Sequence, residues 1–428
     1  MSRDNPIMPP SATSTGTFFG WWVTGGAFVL ALFGWGLGFY GPPVFLGVLH
    51  EARGWSLGLI SAAITLHYLV GAALVTRLPA LYVRFGLAPF TQFGGLVLAL
   101  GTLGWALAAE PWHLFLAAVI SGFGWSATSA ATINAIIAPW FVRARPAALG
   151  WAYNGASIGG VIFSPLWVAA ISGLGFPMAA AGIGFIAALT IWLISSTLFA
   201  RTPEQMGLTA DGDAEGAAPV NVTSPHARPL PGALLWRDRA FLTLSIGNAL
   251  GLFAQLGLVT HLFSLLLPTL GAQSAGFAMA FVTVMAITGR ALIGWFMPIH
   301  ADRRIVACVG YGAQLAGSLT LLAAGGSNVP LLLTGIALFG IGFGNATSLP
   351  PLIAQVDFVK EEVLRVIALM VALGQATYAF APATFGIIRE LTPSAQGAST
   401  GAAPWVFLAA AAFQGLAIAA MLAGRRPR

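Results

Sequence analysis

Long apolar stretches, each of about 20 residues, alternate along the chain with short polar segments. A helix needs about 20 apolar residues to cross the hydrocarbon core of a bilayer. None of the stretches shows the alternating ten-residue pattern of a membrane barrel strand, so helices are the expected form. The pattern predicts twelve transmembrane helices, at 19–46, 56–78, 87–109, 111–137, 146–170, 176–199, 240–267, 274–297, 304–325, 329–354, 362–388 and 403–424.

The longest polar stretch, residues 201–239, divides these spans into six and six. We therefore expect an N-terminal tail (1–18), a six-helix bundle (19–199), a linker (200–239), a second six-helix bundle (240–424) and a short C-terminal tail (425–428). Short motifs recur in the same order in both bundles: GFG at 122–124 and 342–344, FVRARP at 141–146 and FVKEEV at 358–363, FSP at 163–165 and FAP at 380–382. This recurrence indicates a duplicated, pseudo-twofold bundle, in which a substrate site lies between the halves near the bilayer midplane.

Composition and charge place this bundle in a membrane. The chain is 57% hydrophobic and 7% charged, whereas soluble domains carry about 25% charged residues. With both termini in the cytoplasm, 16 of the 19 Lys and Arg residues fall in cytoplasmic segments, and only Arg53 and Arg389 fall outside. The positive-inside rule therefore predicts a multi-pass plasma or inner membrane protein with cytoplasmic termini. The same rule accounts for the net positive charge of the chain, so no nucleic-acid partner is expected. We expect a functional monomer surrounded by lipid.

Several classes of chemistry are not indicated. Cys308 is the only cysteine, so no internal disulfide can form. The sequence has no phosphate-binding loop of the G-x-x-x-x-G-K-[ST] type, no nucleophile elbow and no H-E-x-x-H helix. We expect neither an enzyme nor a cofactor or metal site.

Three segments carry a family resemblance. They are WFVRARPAALGWAYNGASIGG (140–160), GRALIG (289–294) and ADRR (301–304). With the six-plus-six layout, they resemble the major facilitator superfamily, and within it the monocarboxylate porters and the oxalate/formate antiporters. The resemblance implies two six-helix bundles that transport a small organic anion by alternating access.

The gating motif of that superfamily is incomplete here. The loop between its second and third spans normally holds a glycine, an aspartate and an arginine, but LPALYVRFG has Pro79, Val83 and Arg84 at those places. The resemblance implies a gating role for Arg84 on this side, and Asp302 with Arg303 would preserve part of the charge contact in the other half.

Arg290 is the only Lys or Arg predicted inside a span away from its first or last turn. A charge near the bilayer interior costs several kcal/mol unless it is compensated, and a substrate carboxylate would match the planar fork of the guanidinium. Alternatively, Arg290 could snorkel to the helix end or bond to carbonyls of a neighbouring helix. The resemblance favours the first reading, because these porters hold the anion with an arginine of the eighth span.

The expected substrate is a monoanion. Animal porters have an aspartate four residues before this arginine, where this chain has Ala286, and the predicted eleventh span, LMVALGQATYAFAPATFG, contains no second cation for a dianion. Lactate-like, pyruvate-like and aromatic acids all stay open.

Other polar and aromatic side chains near the predicted midplane are candidates to line the cavity, although most such contacts between membrane helices are structural. The preferred candidates for substrate binding are Tyr40, Asn154, Asn345 and Gln375, followed by Trp125, Tyr378 and Gln255. Gly155 and Gly159 predict a close helix contact in the fifth span, which could act as a sliding surface against the eighth.

Proton coupling is expected, but its route is open. No Asp or Glu lies inside a predicted span, so His67 and His261 are the candidate relay residues. A proton could instead enter on the carboxylate of the substrate, and counter-exchange is the antiport alternative.

Two further functions remain as alternatives. An efflux carrier for hydrophobic compounds would line its cavity with the 14 Trp and 29 Phe residues. A sensor or scaffold that no longer transports would use the linker to bind a partner.

Overall fold

A computed structural model describes residues 18–212, 232–298, 301–346, 348–391 and 403–425. The predicted tails at 1–17 and 426–428 and the central part of the predicted linker, 213–231, lie outside the described residues. All regular structure in the described ranges is helical.

The first half contains nine α-helices. They are α1 (Phe19–Gly38), α2 (Gly41–Arg53), α3 (Leu57–Val75), α4 (Leu78–Phe85), α5 (Leu87–Leu107), α6 (Pro111–Ala127), α7 (Ala130–Ile137), α8 (Arg145–Leu174) and α9 (Phe176–Ile194). A π-helical turn, Ser195–Phe199, extends α9.

The described residues of the second half form eight α-helices. They are α10 (Arg239–Leu270), α11 (Ala272–Phe296), α12 (Arg303–Ala323), α13 (Val329–Phe343), α14 (Leu349–Asp357), α15 (Lys360–Tyr378), α16 (Ala381–Glu390) and α17 (Pro404–Ala423). Short 3-10 turns, Glu204–Met206, Ala210–Gly212 and Gly232–Arg237, lie in the described parts of the linker.

These helices confirm the predicted all-helical membrane fold. Among the described residues, eleven helical stretches are long and apolar enough to cross a bilayer, and the shorter helix Val329–Phe343 together with α14 accounts for a twelfth span. We number the spans 1 to 12. Span 1 comprises α1 and α2, span 4 α6 and α7, span 10 α13 and α14, and span 11 α15 and α16.

Spans 1, 4, 10 and 11 are interrupted, although their apolar stretches predict continuous helices. Prolines stand in the first turn of α2, α14 and α16, where a missing N–H costs little. Pro42, Pro43 and Pro382 therefore begin new helix segments. Pro165 does lie inside a helix, α8.

The interruption of span 1 is stabilised by side chains from its neighbours. Carbonyl groups at the end of α1 lose their helical partners and would be costly to leave unpaired inside a membrane. Trp167 of α8 donates its Nε1–H to the carbonyl of Gly36 at 3.0 Å. His67 of α3 bonds through Nε2 to the carbonyl of Gly38 at 3.1 Å.

We call the side of the bundle that carries Phe18, Arg201 and Arg425 the linker face, and the other side the opposite face. The halves meet where α8 packs on α11, α3 on α16 and α2 on α10. The segments α2 and α16 and the start of α3 belong to the opposite face. On the linker face, α7 and α14 pack against helices of their own half. The bundle is therefore closed on the opposite face.

Small residues allow this closure. A β-carbon at Gly386 would lie 2.7 Å from Oγ of Ser61, and one at Gly58 would lie 2.7 Å from a carboxylate oxygen of Glu390. Backbone bonds also cross the seam: the amide of Gly58 donates to Glu390 at 2.7 Å, and the amide of Ala383 donates to the Thr65 hydroxyl at 3.0 Å.

The substitution Gly386→Val is expected to separate α16 from α3 and open the opposite face, because overpacking such a contact costs about 1–3 kcal/mol. Spin labels at the exposed positions Glu51 and Leu391, in a Cys308→Ser background, should report a longer distance by pulsed electron paramagnetic resonance. Gly173→Val is the control, since a β-carbon there meets no atom within 4 Å. An unchanged distance distribution in Gly386→Val would contradict the packing described.

Candidate functional site

Arg290 lies on α11 beside the interruption of span 10. Its half-buried guanidinium donates from Nε to the carbonyl of Gly344 at 3.2 Å. Gln255 of α10 donates its Nε2–H to the preceding carbonyl, Phe343, at 3.3 Å. Two carbonyls at the end of α13 are thus capped by side chains from spans 7 and 8, much as those of α1 are capped in the first half.

This bond uses only one of the five N–H donors of the guanidinium. Within the described residues, no carboxylate pairs with Arg290, and its Nη1 and Nη2 atoms donate to no protein acceptor. The alternative role, a bond to a carbonyl of a neighbouring helix, is therefore present. It leaves the outer edge of the guanidinium, formed by Nη1 and Nη2, free. That edge can accept a planar anion in two parallel hydrogen bonds.

Tyr40 is brought to this arginine by the interruption of span 1. It precedes α2, is 7% exposed, and lies close enough to Arg290 for that charge to act on its hydroxyl. The Tyr40 ring fills the space beside Gly160 of α8, where a β-carbon would lie 2.7 Å from Cε1 of Tyr40 and 2.7 Å from Oγ1 of Thr283 on α11. Spans 1, 5 and 8 therefore meet at Tyr40.

Two further tyrosines extend the site toward spans 2 and 11. The rings of Tyr68 and Tyr378 contact edge to face, with their centroids 6.1 Å apart. Tyr68 also packs against Phe39 and Trp125, each at a centroid distance of 6.5 Å. We call Tyr40, Tyr68 and Tyr378 the tyrosine cluster.

Three residues of this site are absent from the sequence-based candidates: Tyr68, Thr283 and Gly160. Tyr68 follows the candidate His67 directly, and it is one of only six tyrosines in the chain. A buried tyrosine hydroxyl in a membrane span is a usable signal, because it needs a partner.

The other predicted polar residues lie in different surroundings. Asn345 donates to the carbonyl of Ile341 at 3.3 Å and lines, with Tyr311, a void of about 10 Å³ inside the second half. Asn154 is exposed and Gln375 is half-buried, and the side chain of neither forms a hydrogen bond to the residues that the structure describes. Trp125 packs between Trp35 and His67. A role for these residues in substrate binding stays a prediction.

His67 has the geometry of a hydrogen-bonded packing residue. It is 1% exposed, and both ring nitrogens have partners: Nδ1 lies 2.9 Å from Oγ of Ser121, and Nε2 lies 3.1 Å from the carbonyl of Gly38. Since a carbonyl can only accept, Nε2 carries the hydrogen. His67 thereby stabilises the interruption of span 1, and its predicted part in proton coupling stays untested.

His261 lies at the seam between the halves. Its Nε2 atom is 3.1 Å from the carbonyl of Pro382 and 3.5 Å from Oγ of Ser61, while Nδ1 has no partner among the described residues. It is therefore part of the closed opposite face and not of the tyrosine cluster.

The close contact predicted at Gly155 and Gly159 exists, but its partner is not span 8. A β-carbon at Gly155 would lie 2.0 Å from the carbonyl oxygen of Phe28, and one at Gly159 would lie 2.7 Å from that of Leu32. Both glycines therefore pack on α1 within the first half. The contact between spans 5 and 8 is made instead at Gly160 and at Gly276, which approaches Pro165.

The predicted gating charges contact their own halves in this conformation. Arg84 is exposed and stacks on the neighbouring ring of Phe85, at 5.1 Å from its centroid. Asp302 caps α12 and pairs with Arg425 at 2.8 Å. Burial would raise the pKa of Asp302, but the bonds from Arg425 and from backbone N–H groups outweigh it and lower the pKa. Arg303 donates to the carbonyl of Leu352.

Arg304, which the sequence did not single out, forms an ion pair in which the arginine is buried. It is 4% exposed and donates to the carboxylate of Asp357 at 2.8 and 3.0 Å, and also to the carbonyl of Ala240. This guanidinium is held by acceptors of its own half and has a structural role on the linker face.

Span 11 carries a cation that its predicted bounds exclude. The helix α16 continues to Glu390 and includes the half-buried Arg389. Arg389 donates to Oγ of Ser264 at 2.5 Å, at the opposite face. The predicted span ends at residue 388, so the structure extends it by two residues to include Arg389.

Comparisons with known proteins agree with this architecture. The family model described as Major Facilitator Superfamily matches residues 26–382. "MFS-type transporter 1" of Ophiocordyceps sp. (strain BCC 1869) is 26% identical over 396 residues, which cover 86% of this chain and 78% of that protein. "Monocarboxylate transporter 13" of Bos taurus is 36% identical over 89 residues, 21% of each chain.

Solved structures share the fold at low identity. The nucleoside transporter NupG matches with a TM-score of 0.70 and 15% identity, covering 96% of this chain and 100% of its own. A bacterial homologue of the human lysosomal transporter Spinster, in an inward-facing and occupied conformation, matches with a TM-score of 0.68 and 14% identity over 96% and 97% of the two chains. The chain therefore belongs to the Major Facilitator Superfamily, and it is a multi-pass membrane transporter and not an enzyme.

Proposed function

We propose that this chain is a secondary active transporter that moves a small monocarboxylate by alternating access, with proton coupling. The observation that carries the proposal is the free Nη edge of Arg290, which lies beside Tyr40 where spans 1, 5, 8 and 10 meet. A half-buried cation without a protein carboxylate is costly, and a bound carboxylate would offset that cost.

The charges at the site favour a singly charged substrate. Among the described residues, Arg290 is the cation whose charge acts on Tyr40, whereas Arg389 is held by Ser264 at the opposite face. If a dianion of the oxalate type bound to Arg290, its second carboxylate would have no cation beside it. An efflux substrate without charge would leave Arg290 itself unneutralised, so both alternatives fit less well.

The tyrosine cluster suits the remainder of such a substrate. Its rings and that of Phe39 present apolar faces, and the hydroxyls of Tyr68 and Tyr378 donate to no acceptor among the described residues. Lactate-like, pyruvate-like and aromatic acids all combine a carboxylate with a small or planar body. The partial sequence likeness to a monocarboxylate transporter supports this class, and the structural likeness to a nucleoside transporter bears on the fold alone.

Alternating access would use the seam between the halves. With both termini in the cytoplasm, the closed opposite face is extracytoplasmic, and this conformation releases substrate toward the cytoplasm. Rocking of one half against the other about the contacts of α8 with α11 and α3 with α16 would then open the other side.

The first prediction separates the two roles of Arg290. Arg290→Gln keeps a donor for the carbonyl of Gly344 but removes the charge, so uptake of labelled monocarboxylate by proteoliposomes should fall about 30- to 100-fold in kcat/KM, the equivalent of a charged hydrogen bond of about 2–3 kcal/mol. Arg290→Lys should retain part of the activity, and Arg290→Ala the least.

Arg237→Gln is the matched control, because it removes an exposed arginine from the linker and leaves the site unchanged. Undiminished uptake in Arg290→Gln, Arg290→Lys and Arg290→Ala would eliminate the anion-binding role.

The second prediction concerns coupling. No described acidic side chain contacts Arg290, so the titrating group is either the substrate carboxylate or a histidine. An imposed proton gradient should accelerate uptake, and His67→Gln should keep the acceleration, because Gln can still donate to the carbonyl of Gly38. Loss of the acceleration in His67→Gln would assign the relay to His67, and counter-exchange that does not respond to pH would indicate antiport.

A further inference from the structure

Arg389 is a second half-buried guanidinium without an acidic partner among the described residues. It lies on the last turn of α16, donates from Nη1 to Oγ of Ser264 at 2.5 Å, and has Nη2 at 3.5 Å from the carbonyl of the same residue. Unlike Arg304, whose guanidinium is held by a carboxylate and carbonyls, Arg389 is balanced only by neutral groups. Such a cation in a membrane span is a candidate ligand for an anion.

Its surroundings supply further polar groups that are not acidic. His261 is fully buried, and its Nδ1 has no hydrogen-bond partner among the described residues. Ser264 is 6% exposed and donates to the carbonyl of His261 at 2.9 Å. The adjacent carboxylate, Glu390, is directed across the seam to the amide of Gly58.

These groups are placed so that opening of the seam exposes them together. Arg389 lies on α16, and Ser264 and His261 lie on α10, so all three belong to the second half. Across the seam, Ser61 of α3 lies 3.5 Å from His261, and Gly58 and Thr65 of α3 bond to Glu390 and Ala383 of α16, so these contacts join the first half to the helices that carry the three groups. When the halves part at the opposite face, the second half keeps a guanidinium, a hydroxyl and an imidazole on the wall of the new opening.

We propose that Arg389, with Ser264 and His261, forms a second carboxylate-binding site, which receives the substrate from the opposite face before it reaches Arg290. This inference rests on the proposed function, because it takes the substrate to be a carboxylate. The free donors of the fork would bind the anion, and the charge would also attract anions from solution into the opening.

The alternative is that Arg389 only holds span 11 against span 7. The two roles predict opposite changes in the KM for substrate presented from the opposite face. Loss of a brace at the closed face would favour the conformation that is open there, and so would lower the KM for substrate presented from that face. Loss of a binding site raises the same KM.

The experiment measures uptake of labelled lactate and benzoate into right-side-out and inverted membrane vesicles, with an epitope in the linker to report the orientation. Arg389→Gln should raise the KM from the opposite face about tenfold and leave the KM from the linker face unchanged. Arg389→Lys should restore most of the affinity. Higher ionic strength should raise the KM from the opposite face in the wild type but not in Arg389→Gln, because screening acts on the charge.

Arg53→Gln is the control, since Arg53 is an exposed arginine of the same face, and its KM should match the wild type. Ser264→Ala is the second variant. It leaves the arginine in place and should raise the same KM by a smaller factor, about threefold. A KM from the opposite face that is unchanged or lowered in both Arg389→Gln and Ser264→Ala, or raised equally from both faces, would overturn the second site.

Different results would show that the proposed function itself is wrong. In that case, the wild type shows no saturable uptake of either acid, or Arg290→Gln transports as well as the wild type. The second site alone fails under a different pair of results. In that case, the wild type transports, Arg290→Gln abolishes uptake from both faces, and Arg389→Gln behaves as the wild type.

Discussion

Every carbonyl that an interrupted membrane helix releases needs a new donor, because the hydrocarbon supplies none. This constraint determines the centre of the structure. Trp167 and His67 supply donors where span 1 breaks, and Gln255 and Arg290 supply them where span 10 breaks. The interruptions in turn place Tyr40 and the end of α13 at the crossing of the halves. The structural role of these side chains and the shape of the site therefore have one origin.

The proposed function depends on the hydrogen-bond donors that the capping bonds leave unused. His67 is occupied at both nitrogens, so it contributes stability in the conformation described. Arg304 is likewise occupied, by Asp357 and by backbone carbonyls. Arg290 gives one donor to Gly344 and keeps the outer edge of its fork free, beside aromatic rings and a hydroxyl. A cation held in position by its inner edge and open at its outer edge is preorganised for a planar anion.

The sequence predicted the fold well, because the period and length of apolar stretches follow directly from bilayer thickness. Arg290 was equally visible, as a charge within an apolar run. The helix interruptions were not, since a broken span has the same apolar composition as a continuous one. Tyr68, Thr283 and Gly160 depend on how each helix is rotated about its axis, which composition does not encode. The partner of Gly155 was misassigned for the same reason, and Arg389 was missed because the end of span 11 was placed two residues too early.

The central claim is that one guanidinium caps a helix break and binds the substrate carboxylate at the same time. The most direct test is an experimental structure of the wild-type protein with a bound monocarboxylate such as benzoate. The account predicts both carboxylate oxygens about 2.7–2.9 Å from Nη1 and Nη2 of Arg290, with Nε still bonded to the carbonyl of Gly344 and Tyr40 beside the anion. A carboxylate bound elsewhere, with the outer edge of Arg290 facing only protein or lipid, would contradict it.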